Sequence, residues 1–192
     1  MQSDAKLQSN PALVQSRLAR PHAAAPAPRA LYTPEERRRR DQSRWTLVQG
    51  ILAPIQFLVF AVSLVLVIRY LVTGNGLAAA NVSVVIKTVA LLTIMYTGAL
   101  WEHDVYGVYL FARPFYWEDM VSMGVIALHL AYVATLILGV FTAGQRFGIA
   151  LAAYTAYVVN ATQFVLKLRA ARRQHAADLA AGRAVAGQEA AA

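Results

Sequence analysis

WEHDVYGVYLFARPFYWED, at residues 101–119, places four of the chain's ten carboxylates and seven aromatic residues between two strongly apolar segments. The apolar segments on both sides make this stretch a connection between two membrane spans. Charge so close to a bilayer is costly, so a cluster of acids in this place indicates a functional site. The rest of the sequence predicts the helices that surround this site.

The composition of the chain favours a membrane protein. Of its 192 residues, 58% are hydrophobic and only 15% are charged, which is too apolar for an ordinary soluble domain. Four apolar stretches, at residues 47–72, 82–101, 120–141 and 147–168, each reach the roughly 20 residues that a helix needs to cross the hydrocarbon core. The sequence therefore predicts an all-α fold, a four-helix bundle of transmembrane spans.

Basic residues lie at both ends of the span region and predict its orientation. They are Arg37, Arg38, Arg39, Arg40 and Arg44 before the first span, and Lys167, Arg169, Arg172 and Arg173 after the fourth. Under the positive-inside rule both termini are cytoplasmic, as an even number of spans requires, and residues 102–119 lie on the same side. Binding of anionic lipid explains the basic runs more simply than binding of nucleic acid, so we predict no nucleic-acid partner.

The chain divides into three parts. Residues 1–30 are rich in Ala and Pro and are predicted to form a disordered leader, residues 31–173 the membrane domain, and residues 174–192 an Ala-rich tail. No apolar signal region precedes the first span, which should act as its own insertion signal. Thr33, Pro34 and Glu36 match a capping box, so a helix should begin there and run into the first span. The chain has no cysteine and no metal-binding motif, and we predict no metal site.

Polar residues recur at helical spacing in three of the spans. The sets are Gln49, Gln56 and Ser63 in the first span, Glu118, Ser122 and His129 in the third, and Asn160, Gln163 and Lys167 in the fourth. We predict that the members nearest the cytoplasm converge with Glu102, His103, Asp104 and Asp119 on one pocket. For Gln49, Gln56 and Asn160, interhelical hydrogen bonding explains the pattern equally well.

Individual charged residues allow more than one interpretation. Asp119 is best explained as a helix N-terminal acid that favours the helix dipole, whereas Glu118 shares a face with Ser122 and belongs in the pocket. At least one of residues 102–104 should point inward. Lys87 has the length to snorkel to the periplasmic interface. His129 is either a hydrogen-bonded packing residue or the axial ligand of a metallated tetrapyrrole.

Four longer runs of sequence resemble one known family. They are LYTPEERRRRDQSRWTLVQGILAPIQFLVF at residues 31–60, SVVIKT at residues 83–88, the pattern WE…YLFAxxFxWED within residues 101–119, and NATQFVLKLRAAR at residues 160–172. Together they resemble the vinyl bacteriochlorophyllide hydratases, also called chlorophyllide a hydratases, of phototrophic bacteria. The resemblance covers roughly residues 31–173.

This resemblance implies a reaction and a setting. Water adds across the vinyl group on ring A of chlorophyllide a, or of a bacteriochlorin relative, to give a 1-hydroxyethyl group during bacteriochlorophyll synthesis. The reaction implies no redox cofactor, since the substrate carries its own magnesium. The implied location is the cytoplasmic or intracytoplasmic photosynthetic membrane of a bacterium. The implied partners are the chlorophyllide, the lipid bilayer and neighbouring biosynthetic enzymes.

The chemistry of hydration can be matched to the acidic cluster. A carboxylic acid in an apolar setting stays protonated and can protonate the terminal vinyl carbon, while a neighbouring carboxylate orients water and stabilises positive charge. We predict Glu118 as the general acid, Glu102 or Asp104 as the group that positions water, and His103 as a proton relay. Predicted substrate contacts are Lys167 or Arg113 with the propionate and His129 with magnesium, and also Gln163, Asn160, Gln49 and Trp117.

Two other functional classes remain open at this point. A non-catalytic pigment-binding or assembly protein would use His129 and the aromatic residues to hold a tetrapyrrole, and would bind pigment without converting it. A small proton-coupled transporter would use ionisable residues at several depths, Lys87 and His129 above all. The chain shows neither an inverted repeat nor a pair of broken helices, which argues against the transporter.

Overall fold

The computed structural model of the chain describes the backbone of residues 31–189 and the side chains of residues 31–183. The predicted leader, residues 1–30, lies outside the described residues. Five helices form the described part, and it contains no strand: α1 (Pro34–Gln42), α2 (Arg44–Thr73), α3 (Leu77–Tyr106), α4 (Tyr116–Ile137) and α5 (Ala143–Glu189). Helices α2 to α5 are long and apolar enough to span a membrane, which confirms the predicted all-α fold with four spans.

Helix α1 begins with the predicted capping box but does not continue into the first span. The Thr33 hydroxyl accepts a hydrogen bond from the Glu36 amide at 3.2 Å, and the Glu36 carboxylate accepts one from the Thr33 amide at 2.7 Å. The chain leaves the helical conformation at Ser43, whose hydroxyl then caps α2 by accepting from the Trp45 amide. The expectation of one continuous helix was therefore wrong, because Ser43 ends α1 and starts α2.

The four spanning helices pack as two hairpins. Residues 74–76 join α2 to α3, and the left-handed backbone conformations of Gly74 and Gly76 permit this short turn. Residues 138–142 join α4 to α5 and include Gly139, which is also left-handed. Helices pack extensively within each hairpin and touch less between hairpins. Large buried side chains such as Phe60 and Tyr154 fill the space between the hairpins.

The side chains of the bundle are sorted as a bilayer requires. Its interior holds aromatic, β-branched and small residues, among them Phe60, Val67, Val84, Tyr132 and Phe147, each at most 6% exposed. Large apolar side chains cover the outside, for example Leu58, Val65 and Ile137. An exposed apolar surface this extensive suits lipid as the surrounding solvent.

A hydrogen-bonded group of three residues links the two hairpins inside the bundle. The Ser63 hydroxyl lies 2.8 Å from that of Ser83 and 2.5 Å from that of Tyr154. We expect Ser63→Ala to lower the free energy of unfolding in detergent by about 1–2 kcal/mol, because it removes two interhelical hydrogen bonds, which average about 0.6 kcal/mol each in membranes. Thr93→Ala is the matched control, since the exposed Thr93 hydroxyl bonds only within its own helix. Equal stability of the two variants would contradict this role for Ser63.

The acidic connection lies at the same end of the bundle as α1. Arg37 of α1 lies 2.5 Å from the His175 ring of α5, and Ser43 bonds Asp104 at the end of α3. We call this the α1 end. Its cytoplasmic orientation stays a prediction from charge.

Candidate functional site

Two buried carboxyl groups meet at the α1 end of the bundle. Glu102 in the last turns of α3 is 5% exposed, and Asp119 in the first turn of α4 is 3% exposed. The two carboxyl groups lie within hydrogen-bonding reach of each other. We call them the acid pair. Two carboxylates in contact repel each other, so the pair is stable when it shares one proton.

The segment between α3 and α4 is anchored on the acid pair. The Phe111 amide donates to Asp119 at 2.8 Å, and the neighbouring Ala112 amide donates to Glu102 at 3.0 Å. Phe111 has a φ of 61°, a left-handed conformation that is costly for an aromatic residue. The two hydrogen bonds hold this strained backbone over the pair.

Glu118 has a different partner from its neighbour Asp119. Successive residues of a helix point about 100° apart, so Glu118 faces α5 while Asp119 faces α3. The Lys167 ammonium of α5 lies 2.6 Å from the Glu118 carboxylate and also donates to the Pro114 carbonyl. Glu118 is thus held in an ion pair, whereas Glu102 and Asp119 contact each other.

Polar side chains fix the start of α4 against α5. The Asn160 amide donates to the Glu118 carbonyl at 3.0 Å and to the Ser122 hydroxyl at 2.8 Å. Gln163 is half-buried nearby on α5, and its side-chain oxygen has no hydrogen-bond partner among the described residues. The structure thus brings Glu102, Glu118, Asn160 and Lys167 to one end of the bundle.

Several predicted site residues lie outside this cluster. Asp104 is exposed and accepts a hydrogen bond from Ser43, and His103 is exposed and stacks on Tyr109 with ring centroids 4.3 Å apart. Gln49 donates to Thr97 at 2.8 Å, so it links α2 to α3. Arg113 is exposed, and Trp117 is 72% exposed as expected of an interfacial aromatic residue. Of residues 102–104, only Glu102 points inward.

The exposure of Asp104 leads to a prediction. We expect Asp104→Asn to leave unchanged the rate of the hydration that the sequence resemblance implies, because an exposed carboxylate bound to Ser43 contributes neither a buried proton nor a buried charge. The measurement is the initial rate in membranes with equal amounts of wild-type and variant protein. A large loss of rate would restore Asp104 as the group that positions water.

His129 and Lys87 lie deeper in the bundle. His129 is 11 residues beyond Glu118 on α4, about 16 Å along the helix, which is farther than the radius of a tetrapyrrole. Its Nδ1 donates to the Val125 carbonyl at 2.8 Å, which leaves the lone pair of Nε2 available. Magnesium binding by His129 stays a prediction. Lys87 is fully buried, so the snorkelling predicted for it was wrong: the residue lies too deep in α3, and its ammonium packs on the Tyr157 ring.

Asp119 is the residue at this site to which the sequence analysis gave no catalytic role. Its position in the first turn of α4 matched a dipole-stabilising acid, and that part of the interpretation was correct. The interpretation did not include its burial or its contact with Glu102. The signal available in the sequence was the placement of Glu102 and Asp119 at the two ends of one short connection.

Comparison with known proteins shows that the chain is similar in sequence to one family. The sequence pattern of the 2-vinyl bacteriochlorophyllide hydratase family matches residues 32–170. The chain is 61% identical over 152 residues to a 2-vinyl bacteriochlorophyllide hydratase of Cereibacter sphaeroides, which covers 79% of this chain and 94% of that protein. It is 60% identical over 153 residues to the protein of the same name from Rhodobacter capsulatus, covering 80% and 89% of the two chains.

No solved structure matches the chain significantly. The matched region begins just before α1 and includes all four spans, the acid pair and the Glu118–Lys167 ion pair. The chain forms a bundle with buried acids at one end, and it is extensively identical to named hydratases. The chain belongs to the 2-vinyl bacteriochlorophyllide hydratase family.

Proposed function

We propose that the chain adds water to the vinyl group on ring A of a chlorophyllide or bacteriochlorophyllide, with the acid pair as the proton donor. The observation that carries the mechanism is the contact between Glu102 and Asp119, both buried at the end of an apolar bundle. A protonated carboxyl group is an acid able to protonate a vinyl group that is conjugated with the macrocycle. The relatives' names supply the substrate class.

Proton transfer starts the reaction. The proton shared by Glu102 and Asp119 moves to the terminal vinyl carbon, and the π electrons of the vinyl group form the new C–H bond. The positive charge then rests on the adjacent carbon, where conjugation with the macrocycle spreads it. The two carboxylates left behind stabilise this cation through their negative charge.

Water completes the addition. A water molecule attacks the cationic carbon and forms the C–O bond, and the proton that it loses returns to the acid pair. The product carries a 1-hydroxyethyl group, and the pair regains its starting protonation state. One water is consumed and no electron is gained or lost, so the reaction balances without a redox partner.

Glu118 supports the second step in this proposal. Its carboxylate, held by Lys167 at 2.6 Å, can accept a hydrogen bond from the attacking water and so orient it. This role differs from the general-acid role predicted from the sequence. The reason is geometric, because Glu118 is bound to Lys167 whereas Glu102 and Asp119 contact each other.

The location of the site suits a poorly soluble substrate. The acid pair lies at the α1 end of helices that span the hydrocarbon core, beside exposed aromatic residues such as Tyr116 and Trp117. An amphipathic pigment concentrated at the interface would meet the site from the membrane. We place the protein in the cytoplasmic or intracytoplasmic photosynthetic membrane of its bacterium.

The test is conversion of pigment by membranes of a heterologous host that expresses the chain. We expect incubation with chlorophyllide a to give a product heavier by one water and with blue-shifted absorption. Membranes of the same host without the chain serve as the control. Unchanged pigment that purifies with the protein would overturn the proposal and favour a non-catalytic pigment-binding role.

A further inference from the structure

Gln163 on α5 carries a buried acceptor that the mechanism above does not use. Its side-chain oxygen is shielded from solvent and has no hydrogen-bond partner among residues 31–183. Buried polar atoms normally have a partner, from the protein or from an ordered water, because an unpaired one costs free energy. An amide oxygen only accepts, so the partner that suits it is a donor.

The position of Gln163 on α5 places its side chain against the start of α4. It lies three residues after Asn160 and four before Lys167, so the three side chains form one stripe along the helix. Both neighbours reach one residue of α4: the Asn160 amide donates to the Glu118 carbonyl at 3.0 Å, and the Lys167 ammonium lies 2.6 Å from the Glu118 carboxylate. Gln163 lies between them and faces the same part of α4.

Two acceptors, the Gln163 oxygen and the Glu118 carboxylate, therefore lie beside the acid pair. Glu118 and Asp119 are consecutive residues with Cα atoms about 3.8 Å apart, and their carboxyl groups interact electrostatically. Lys167 takes one position on the Glu118 carboxylate, which has further lone pairs that can accept hydrogen bonds. A water molecule can donate one O–H group to this carboxylate and the other to the Gln163 oxygen.

A water molecule held in this way is oriented for the addition. Both of its hydrogens are bound to acceptors, so a lone pair of its oxygen is free to attack a cationic carbon beside the acid pair. That carbon becomes a stereocentre, because the product carries a hydrogen, a methyl group, a hydroxyl group and the macrocycle on it. Attack from one fixed direction gives one epimer in excess.

We propose that Gln163 positions the attacking water together with Glu118 and so decides which epimer of the 1-hydroxyethyl product forms, an inference that rests on the proposed function. The amide takes up no proton. The oxygen of the water forms the C–O bond, and the proton that the water loses returns to the acid pair. Gln163 thus contributes direction to the second step, whereas the acid pair supplies the proton for the first.

The test measures the ratio of the two product epimers, which chromatography separates because the macrocycle has stereocentres of its own. We expect one epimer in excess from the wild type. Gln163→Met keeps the length of the side chain without a strong acceptor, so the ratio should move toward equal amounts. Its kcat should fall about 2- to 10-fold, the effect of losing one neutral hydrogen bond, with little change in KM.

Two further changes at Gln163 separate positioning from packing. Gln163→Glu keeps an acceptor at the same reach and should keep the excess of one epimer. Gln163→Asn draws the amide back by one methylene group and should move the ratio in the same direction as Gln163→Met. Thr162→Val is the matched control with the wild-type ratio, since the exposed Thr162 hydroxyl bonds only within α5.

The outcomes for Gln163 are distinct from those for the proposed function. Conversion of pigment to a water-added product by the wild type establishes the proposed function, whatever the epimer ratio. Equal amounts of both epimers from the wild type would overturn the role of Gln163 without any variant. A wild-type ratio from active Gln163→Met or Gln163→Asn protein would also overturn it.

Discussion

Glu102→Gln and Asp119→Asn should each lower the hydration rate by about 10²- to 10⁴-fold, the range for loss of a general acid. An amide has nearly the shape of the carboxyl group and can still accept the Ala112 or Phe111 hydrogen bond. It cannot supply the proton that the vinyl carbon requires. The measurement is single-turnover conversion of chlorophyllide a in membranes, with the amount of protein determined for each variant.

Asp41→Asn is the control for these two variants, because Asp41 is an exposed carboxylate at the same end of the bundle. Glu118→Gln distinguishes the acid pair from Glu118 as the proton donor. We expect it to slow the reaction less than either change in the acid pair, since it alters water orientation rather than proton supply. Near wild-type rates for Glu102→Gln and Asp119→Asn, with inactivity of Glu118→Gln, would return the acid role to Glu118.

Lys167→Met should destabilise the protein by about 2–3 kcal/mol. The change leaves the Glu118 carboxylate, which is 10% exposed at its side chain, without its counter-ion. Fully buried pairs lose roughly 3–5 kcal/mol when one partner is removed, and the loss here should be smaller because the Lys167 side chain is 24% exposed. Unfolding by denaturant in mixed detergent micelles measures this difference.

The double variant Lys167→Met with Glu118→Gln tests the cause of that loss. Removing the charge that Lys167 neutralises should recover most of the lost stability, so the two changes should be strongly non-additive. A double variant as unstable as the sum of both single variants would show that Lys167 acts through packing on Phe115, whose ring centroid lies 5.0 Å from Nζ, or through the Pro114 carbonyl.

The number of spans and the end of the bundle that holds the site follow from local sequence. Long apolar stretches require spanning helices, and acids between two of them must lie together at one membrane face. The capping box at Thr33 could also be predicted from the sequence, because its hydrogen bonds join residues only three positions apart. These features depend on neighbours in the sequence.

The contact between Glu102 and Asp119 could not be predicted from local sequence. Glu102 meets Asp119 rather than Glu118 because the direction of each side chain depends on how α3 and α4 pack and on the left-handed backbone at Phe111. The partner of Glu118 is supplied by α5, 49 residues later in the chain. Likewise, the burial of Lys87 depends on Tyr157, which periodicity within α3 does not reveal.

The most direct test of the central claim is hydration of chlorophyllide a in water that carries heavy isotopes of both oxygen and hydrogen. We expect a product with heavy oxygen on the carbon next to the ring and one deuterium on the terminal methyl group, located by mass spectrometry and nuclear magnetic resonance. Glu102→Gln should form the same doubly labelled product, but at the much lower rate expected above. A product whose oxygen does not come from water, or whose methyl group carries no deuterium, would contradict proton-initiated hydration.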